Sequence, residues 1–240
     1  MRFSKSFQES MSVNSKKIYD SCASKDYIEN LQCFFTEPNQ SLVNQAVDAK
    51  IKDANVIFAK IDIENLKFKD GLFLINQTFF FKIEVEIISV GFSNFLNALC
   101  VFSKNMTLFG GKSDVKTFYS GENKINDEIE TLPSVVVQVS KPLVLSSSLN
   151  DNESYGIIKK TPNIPANITE YFGGDFSFSN ILKYVNLNLG LFSITHLERD
   201  MQMLMPICEI GKPTKKCNSG ISAREAFEKT LFPVRDFFPL

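Results

Sequence analysis

One stretch of alternating apolar and charged residues constrains the fold more than any other part of the chain. Within residues 79–87 every odd position is apolar, and the charged residues Lys82, Glu84 and Glu86 stand at even positions. A period of two is typical of a strand with one buried face, whereas a helix would spread these charges around its circumference. Because a Lys67–Gly71 turn precedes this strand and an extended run precedes the turn, the sequence predicts a long β-hairpin over residues 53–90.

The first strand of this hairpin, residues 53–66, loses its alternation where Ile57 is apolar out of phase. A β-bulge inserts one residue and shifts the phase, so we predict a bulge near Ala59 and Lys60. The second strand, residues 72–90, is roughly three times the usual length of about five to six residues. Such a strand bends across two sheets or extends beyond the body of the domain, and its apolar face should form much of the core.

Length and composition favour one domain of ordinary packing. The chain has 240 residues, an apolar fraction of 44% and a net charge of -1. No linker divides it, and a charge near zero gives no reason to expect a nucleic-acid groove. We predict a flexible tail at residues 1–15 and a single mainly-β domain at 16–240, with a long irregular excursion at about 146–180.

The remaining periodic segments complete a predicted antiparallel β-sandwich or barrel-like domain with short helices near both ends. Ser24 is a candidate cap for the first helix, and Ser222 with Glu225 forms a capping box for the last. Pro142 indicates that its strand lies at an edge. The predicted helices span 24–31, 39–50, 166–172 and 223–231, and the predicted strands span 94–109, 114–119, 134–145, 185–194 and 201–210.

The chain has no recognisable targeting or membrane segment. Residues 1–15 lack the apolar core of a signal peptide, and no window approaches the roughly 18 apolar residues of a membrane span. We therefore expect synthesis in the cytoplasm without a signal peptide, no membrane span, and access to a surface only by lysis or assembly.

The five cysteines cannot all pair in disulfides within the chain, because their number is odd. Cys22 and Cys33 are separated by ten residues, and Cys208 and Cys217 by eight. Zinc sites usually use pairs about two to four residues apart, so this spacing disfavours a metal. Buried thiols and later-formed disulfides both remain open. Candidates for a disulfide or cross-link are Cys22, Cys33, Cys208 and Cys217, whereas Cys100 should be in the core.

Three groups of residues resemble chemical motifs, and each has a simpler interpretation. The sequence GGKS at 110–113 matches the end of a phosphate-binding loop, but Met106 stands where that loop needs glycine, so we predict a β-turn. His196, with Glu198 or Asp200, has the residue types of an acid–base pair, but a histidine in a hairpin turn explains the same string.

Glu84 and Glu86 form a candidate carboxylate pair on one strand face, but Lys82 shares that face, which favours a solvated sheet surface. We therefore predict no catalytic, cofactor-binding or metal-binding residues, no cofactor, and a protein that is not an enzyme.

Short segments along most of the chain resemble a group of largely uncharacterised clostridial proteins associated with the spore coat and exosporium. The segments are KIYDSC at 17–22, KD at 25–26, IENLQ at 28–32, TFFF at 78–81, AFE at 226–228, FP at 232–233 and FFP at 237–239. The resemblance implies a structural role and supplies no catalytic residues. Tyr27 stands where a cysteine is expected, which argues against dense disulfide cross-linking in this chain.

The sequence thus favours a non-enzymatic structural protein that self-associates in a bacterial spore surface layer, either coat or exosporium. Its partners would be copies of itself and other spore-surface proteins, with no nucleic acid. The alternative is a β-barrel or sandwich module that binds an apolar small molecule between Phe-lined sheets. A third hypothesis, an enzyme built around His196 and Asp200, has the least support.

Overall fold

The computed structural model describes residues 12–111, 132–152, 162–204, 216–218 and 237. Within these residues the chain forms long strands and two short helices. In chain order they are β1 (Ser12–Gln32), α1 (Glu37–Asn44), β2 (Asp48–Asn65), β3 (Leu72–Ser89), β4 (Phe92–Phe109), β5 (Ser134–Val139), β6 (Leu143–Asp151), α2 (Ala166–Phe172), β7 (Lys183–Leu204) and β8 (Lys216–Asn218).

These strands form two sheets packed face to face, and the sheets do not close into a barrel. The small sheet has the order β2-β3-β4, and the large sheet has the order β5-β7-β1-β8, with β6 also paired to β7. All pairings are antiparallel except the short one between β8 and β1. The prediction of a mainly β, antiparallel sandwich is confirmed.

Strand β3 lies at the centre of the small sheet, and around residues 79–81 it is buried on both of its faces. Phe79 and Phe81 pack between the sheets with residues of β7 such as Leu189. Phe80 points to the opposite face, where it packs under Ile168 of α2. Because both faces are covered, three consecutive phenylalanines are almost completely buried, and the sequence pattern of one buried face describes only half of the packing.

The predicted hairpin is present as β2 and β3, but its bulge is misplaced in the prediction. The register between the strands shifts at Val56/Phe58, with a second shift at Ile51/Asp53. At the first shift Ile57 and Phe58 both lie on the outer face, where Phe58 meets the ring of Phe80 at 5.7 Å. The bulge therefore lies where two consecutive residues both pack on the outer face. The change of alternation near Ala59 is a consequence of it.

The predicted helix at 24–31 is wrong, because these residues belong to β1. Strand β1 pairs with β7 from Ser12 to Gln32, so it also begins inside the segment predicted as a tail. The capping signal at Ser24 is local, whereas the pairing joins segments far apart in sequence and overrides it. The predicted helix at 39–50 is present only as α1, which starts two residues earlier and ends at Asn44.

Other predicted elements agree in part. Strand β4 and helix α2 match their predictions. The predicted strand 134–145 is interrupted at residues 140–142 and forms β5 and β6, which pair along the same edge of β7. β6 occupies the start of the predicted excursion. The strands predicted at 185–194 and 201–210 are one continuous β7 as far as Leu204. The predictions for 114–119 and 223–231 lie outside the described residues.

Neither helix in the described part of the chain is long and apolar enough to cross a membrane.

Replacing Phe80 by Ala should test whether α2 covers the small sheet. Removing this buried ring should lower the free energy of unfolding by about 3–5 kcal/mol and increase amide hydrogen exchange in α2. Urea unfolding and exchange measured by mass spectrometry would check both effects. Phe68→Ala is the matched control, because Phe68 is 81% exposed. Equal stabilities of the two variants would contradict the packing.

Candidate functional site

Six polar residues lie between the sheets and separate two apolar parts of the core. Ser24 and Asp26 of β1 and Ser193 and Thr195 of β7 face inward from the large sheet, and Gln77 and Lys104 face them from the small sheet. We call this group the inter-sheet polar cluster. The larger core cluster contains Phe79 and Leu189, and the smaller contains Ile75 and Leu197.

Strand register brings the members of the inter-sheet polar cluster together. Gln77 is directly opposite Lys104 in the β3–β4 pairing. In the β1–β7 pairing, Ser24 is opposite Ser193. Because side chains of paired residues point to the same face, each sheet contributes a polar patch, and the two patches meet across the sandwich.

An ion pair lies at the centre of the cluster. The Lys104 ammonium is 2.5 Å from Oδ2 of Asp26, and it donates a second hydrogen bond of 2.8 Å to Oγ of Ser193. The two charged side chains are only 11% and 13% exposed. Burial lowers the pKa of Lys104 from its ordinary value, and the Asp26 carboxylate opposes that shift. The carboxylate therefore compensates for much of the cost of placing an ammonium group here.

Within the described residues, the Gln77 side chain has a hydrogen-bond partner at its amide nitrogen and none at its amide oxygen. Its amide Nε2 donates to Oγ1 of Thr195 at 2.8 Å. Its Oε1 is fully buried and accepts no hydrogen bond among the described residues. A buried amide oxygen without a donor is costly, so this atom is a potential acceptor for a bound group.

A cavity opens beside the cluster at the edge of the sandwich. Its volume is about 510 Å³, and its wall includes Ser24, Asp26, Gln77, Phe102 and Lys104. The wall combines hydrogen-bonding groups with the apolar surface of Phe102. The arrangement can bind a small molecule that donates hydrogen bonds, and the part of the chain that the structure describes holds no group of three or more metal-ligating side chains.

His196 lies within β7 and not in a hairpin turn, which corrects the prediction for this residue. Its Nε2 is 3.6 Å from Oε2 of Glu198, a carboxylate that also pairs with Lys16. Asp200 is four residues further along the same strand, a separation of about 13 Å. Glu198 therefore lies close to the imidazole, whereas the strand geometry keeps Asp200 away from it.

The glycines at 110 and 111 have a structural explanation. A Cβ atom at Gly110 would lie 2.8 Å from the Phe73 ring, and Gly111 has a φ of +68°. Their carbonyl oxygens accept hydrogen bonds from the Arg199 guanidinium. Lys112 and Ser113 lie outside the described residues.

The acidic residues of β3 lie on the outer face of the small sheet. Glu84 is exposed, and Glu86 is partly buried and pairs with Lys52 at 2.8 Å. The Lys82 ammonium lies 5.7 Å from the centre of the Tyr171 ring. This part of the outer face is therefore a charged surface, on which Glu86 has a cationic partner.

The cysteines are in two different states. Cys22 is disulfide-bonded, whereas Cys33 and Cys100 are free thiols and so neither is its partner. The side chains of Cys208 and Cys217 lie outside the described part, although the backbone of Cys217 in β8 pairs with β1 opposite Ser24.

Sequence reasoning missed the inter-sheet polar cluster because its members look like turn or surface residues. Asp26 and Ser24 suggested a helix start, and Lys104 interrupts an otherwise uncharged strand. One signal was available in the sequence. Gln77 stands at an odd position like Phe79 and Phe81, and in a strand this places its amide on the same buried face.

Breaking the central ion pair should cost far more than breaking an exposed one. Asp26→Ala should lower the free energy of unfolding by about 3–5 kcal/mol, because it leaves a buried ammonium unpaired, and adding Lys104→Met should recover part of this loss. The exposed pair Lys60–Asp62, at 3.0 Å, is the control, and its removal should cost at most about 1 kcal/mol. Urea unfolding of the single and double variants of each pair would give the two coupling energies. Equal coupling energies would contradict a larger contribution from the buried pair.

Comparison of the chain with protein-family models, with curated proteins and with solved structures found no match.

Proposed function

We propose that this chain is a non-enzymatic structural protein that self-associates in a bacterial spore surface layer, either coat or exosporium. The placement in a spore layer is supported by the sequence resemblance, which covers segments from residue 17 to residue 239. Self-association is supported by an exposed apolar surface, and that surface is the observation on which the proposal depends.

The apolar surface lies at the end of the small sheet where β3 turns into β4. Val90 is in the turn, and Phe92 and Phe95 follow on β4, where they point to opposite faces of the sheet. The backbone N–H of Val47 donates to the carbonyl of Ile88 at 2.8 Å, which places Val47 at the same end. The exposed fractions are 66% for Val47, 88% for Val90, 47% for Phe92 and 60% for Phe95.

Such a group of large apolar side chains marks a contact site more often than isolated exposed residues do. Two copies that bury the exposed side chains of one face, such as Phe95, against each other gain about 25 cal/mol for each Å² of apolar area removed from water. The net charge of -1 means that copies of the chain hardly repel one another. A second copy is therefore a suitable partner for this surface.

The backbone beside this surface adds a second means of contact. β4 is an edge strand of the small sheet, and within the described residues its outer edge is bridged only by Phe34, which pairs with Leu99. Residues 92–95 precede that bridge. An edge strand that carries Phe side chains and no charge in this stretch can pair with a neighbouring copy.

Introducing a charge into the apolar surface should weaken self-association. We expect the purified protein to form ordered oligomers or sheets, and Phe95→Lys to raise the concentration needed for assembly by at least about tenfold, equal to ~1.4 kcal/mol. Phe68→Lys is the matched control, because Phe68 is 81% exposed in the turn between β2 and β3, at the other end of β3. Sedimentation velocity and electron microscopy would measure assembly.

Only monodisperse monomers under all conditions, including oxidising ones, would contradict the proposal. An equal loss of assembly in Phe68→Lys and Phe95→Lys would contradict the assignment of the contact to this surface.

The cavity beside the inter-sheet polar cluster favours a second candidate function, the binding of a small molecule. Its wall has the apolar ring of Phe102 and hydrogen-bonding residues such as Asp26, Lys104 and Gln77. A suitable ligand combines an apolar body with a donor group, such as an aromatic carboxamide. This differs from a wholly apolar ligand held between Phe-lined sheets, because the described core there is filled by side chains such as Phe79 and Phe81.

A bulky residue at the cavity should block such a ligand. Asn105 lines the cavity, so Asn105→Trp should reduce the affinity for an aromatic carboxamide by at least about tenfold, because the indole ring occupies the same space. Asn97→Trp, at another exposed position of β4, should leave affinity unchanged. Calorimetric titration would measure both. Absence of binding to the unmodified protein across a panel of such amides would remove this candidate.

A further inference from the structure

Two free thiols touch at the place where the large sheet meets the small one. Cys33 directly follows β1, and Cys100 is in β4. Their Sγ atoms are 3.4 Å apart, and the two residues are 2% and 0% exposed. The sequence does not predict this pair: Cys33 is a candidate for a disulfide or cross-link with other cysteines, and Cys100 is predicted to be in the core.

The backbone around the thiols has the geometry that a cross-strand disulfide needs. Phe34 and Leu99 exchange two hydrogen bonds of 2.8 Å, so they form a hydrogen-bonded antiparallel pair. The next pair, Cys33 with Cys100, is therefore a non-hydrogen-bonded pair, in which the Cα atoms are typically about 4.5 Å apart. Disulfides span Cα separations of about 4.4–6.8 Å, so a bond here requires little movement of the backbone.

The surroundings restrict the chemistry of the pair. Both thiols belong to the apolar core cluster that contains Phe79 and Phe81. Burial, followed by the contact with Cys33, raises the pKa of the Cys100 thiol well above its usual value. A buried thiol without an activating base is a poor nucleophile for a large substrate. Within the described residues no third metal-ligating side chain joins the pair, so joint oxidation of the two sulfurs to a disulfide is the chemistry that remains.

We propose that Cys33 and Cys100 form a redox modification site, at which a hydroperoxide oxidises the two thiols to a disulfide that links the end of β1 to β4. Hydrogen peroxide is little larger than water, so it is the oxidant best suited to a buried site. The bond would join the two sheets covalently beside the Phe34–Leu99 bridge.

The reaction balances with one molecule of hydrogen peroxide. The Cys33 sulfur attacks one peroxide oxygen; the O–O bond breaks, and the departing hydroxide takes up the Cys33 thiol proton to become water. The resulting sulfenic acid is attacked by the Cys100 sulfur. The S–S bond forms, the S–O bond breaks, and the hydroxyl group leaves with the Cys100 proton as a second water. Two electrons pass from the sulfurs to the peroxide.

The disulfide should stabilise the fold because it closes a long loop. The cysteines are 67 positions apart in sequence, and the loop between them contains α1, β2 and β3. Cross-linking such a loop restricts the unfolded chain more than the folded one. We expect the thermal midpoint to rise by roughly 5–15 °C on oxidation.

The test compares the folded protein before and after treatment with hydrogen peroxide. The reaction is quenched with acid, remaining thiols are alkylated in denaturant, and the protein is digested without reductant for mass spectrometry. We expect a peptide pair linked through Cys33 and Cys100, together with the higher thermal midpoint. Cys100→Ala and Cys33→Ala, with folding checked by circular dichroism, should give neither the linked pair nor the shift.

Alkylation of both cysteines after excess peroxide would overturn the proposal. So would a link from Cys33 to Cys22, Cys208 or Cys217 in its place. A linked pair without any thermal shift would overturn the proposed clamping of the sheets. These outcomes concern the folded monomer, so they are independent of whether the chain assembles.

Discussion

Burial of β3 on both faces at residues 79–81 is the constraint on which the rest of the structure depends. Phe79 and Phe81 require the large sheet on one side, and Phe80 requires the segment containing α2 on the other. Neither covering element is adjacent to β3 in sequence, because α2 and β7 come only after β4, β5 and β6, and β1 precedes β2. The bulge at Ile57 follows from the same demand, since it turns two consecutive residues of β2 toward the outer cluster. The hairpin is therefore stable only as the middle layer of a larger packing.

The inter-sheet polar cluster limits how the two sheets fit together. The Lys104 ammonium finds its hydrogen-bond partners only when Asp26 and Ser193 lie opposite it. The Gln77 amide nitrogen finds its partner only when Thr195 lies opposite it. A shift of one residue in either strand pair would turn these side chains to the other face and leave charges or amides unpaired in the core. Apolar packing alone would tolerate several relative positions of the sheets. The polar contacts select one of them, at the cost of an incompletely satisfied Gln77.

Elements with a local signal were predicted from the sequence, whereas elements that depend on pairing with distant segments were missed. The hairpin of β2 and β3, the strand β4 and the helix α2 have periodicity or turn residues of their own. Strand β1 does not, because Ser24 and Asp26 interrupt its apolar pattern, and its pairing partner β7 lies more than 150 residues away. The same two residues belong to the inter-sheet polar cluster. The site and the strand that carries it were thus missed for one reason: polar side chains on a buried face resemble a turn until their partners are known.

The crossing from β1 to β4 explains why the proposed redox site and the proposed contact surface would act independently. At Cys33 the chain still donates a hydrogen bond to Val185 of the large sheet, and one residue later Phe34 pairs with Leu99 of the small sheet. A disulfide at this junction adds a covalent bond where the two sheets already share backbone hydrogen bonds, so it needs no change of shape. Phe95 is on the same strand but exposed, whereas Cys100 is buried. Oxidation can therefore strengthen each molecule without altering the surface through which copies would meet.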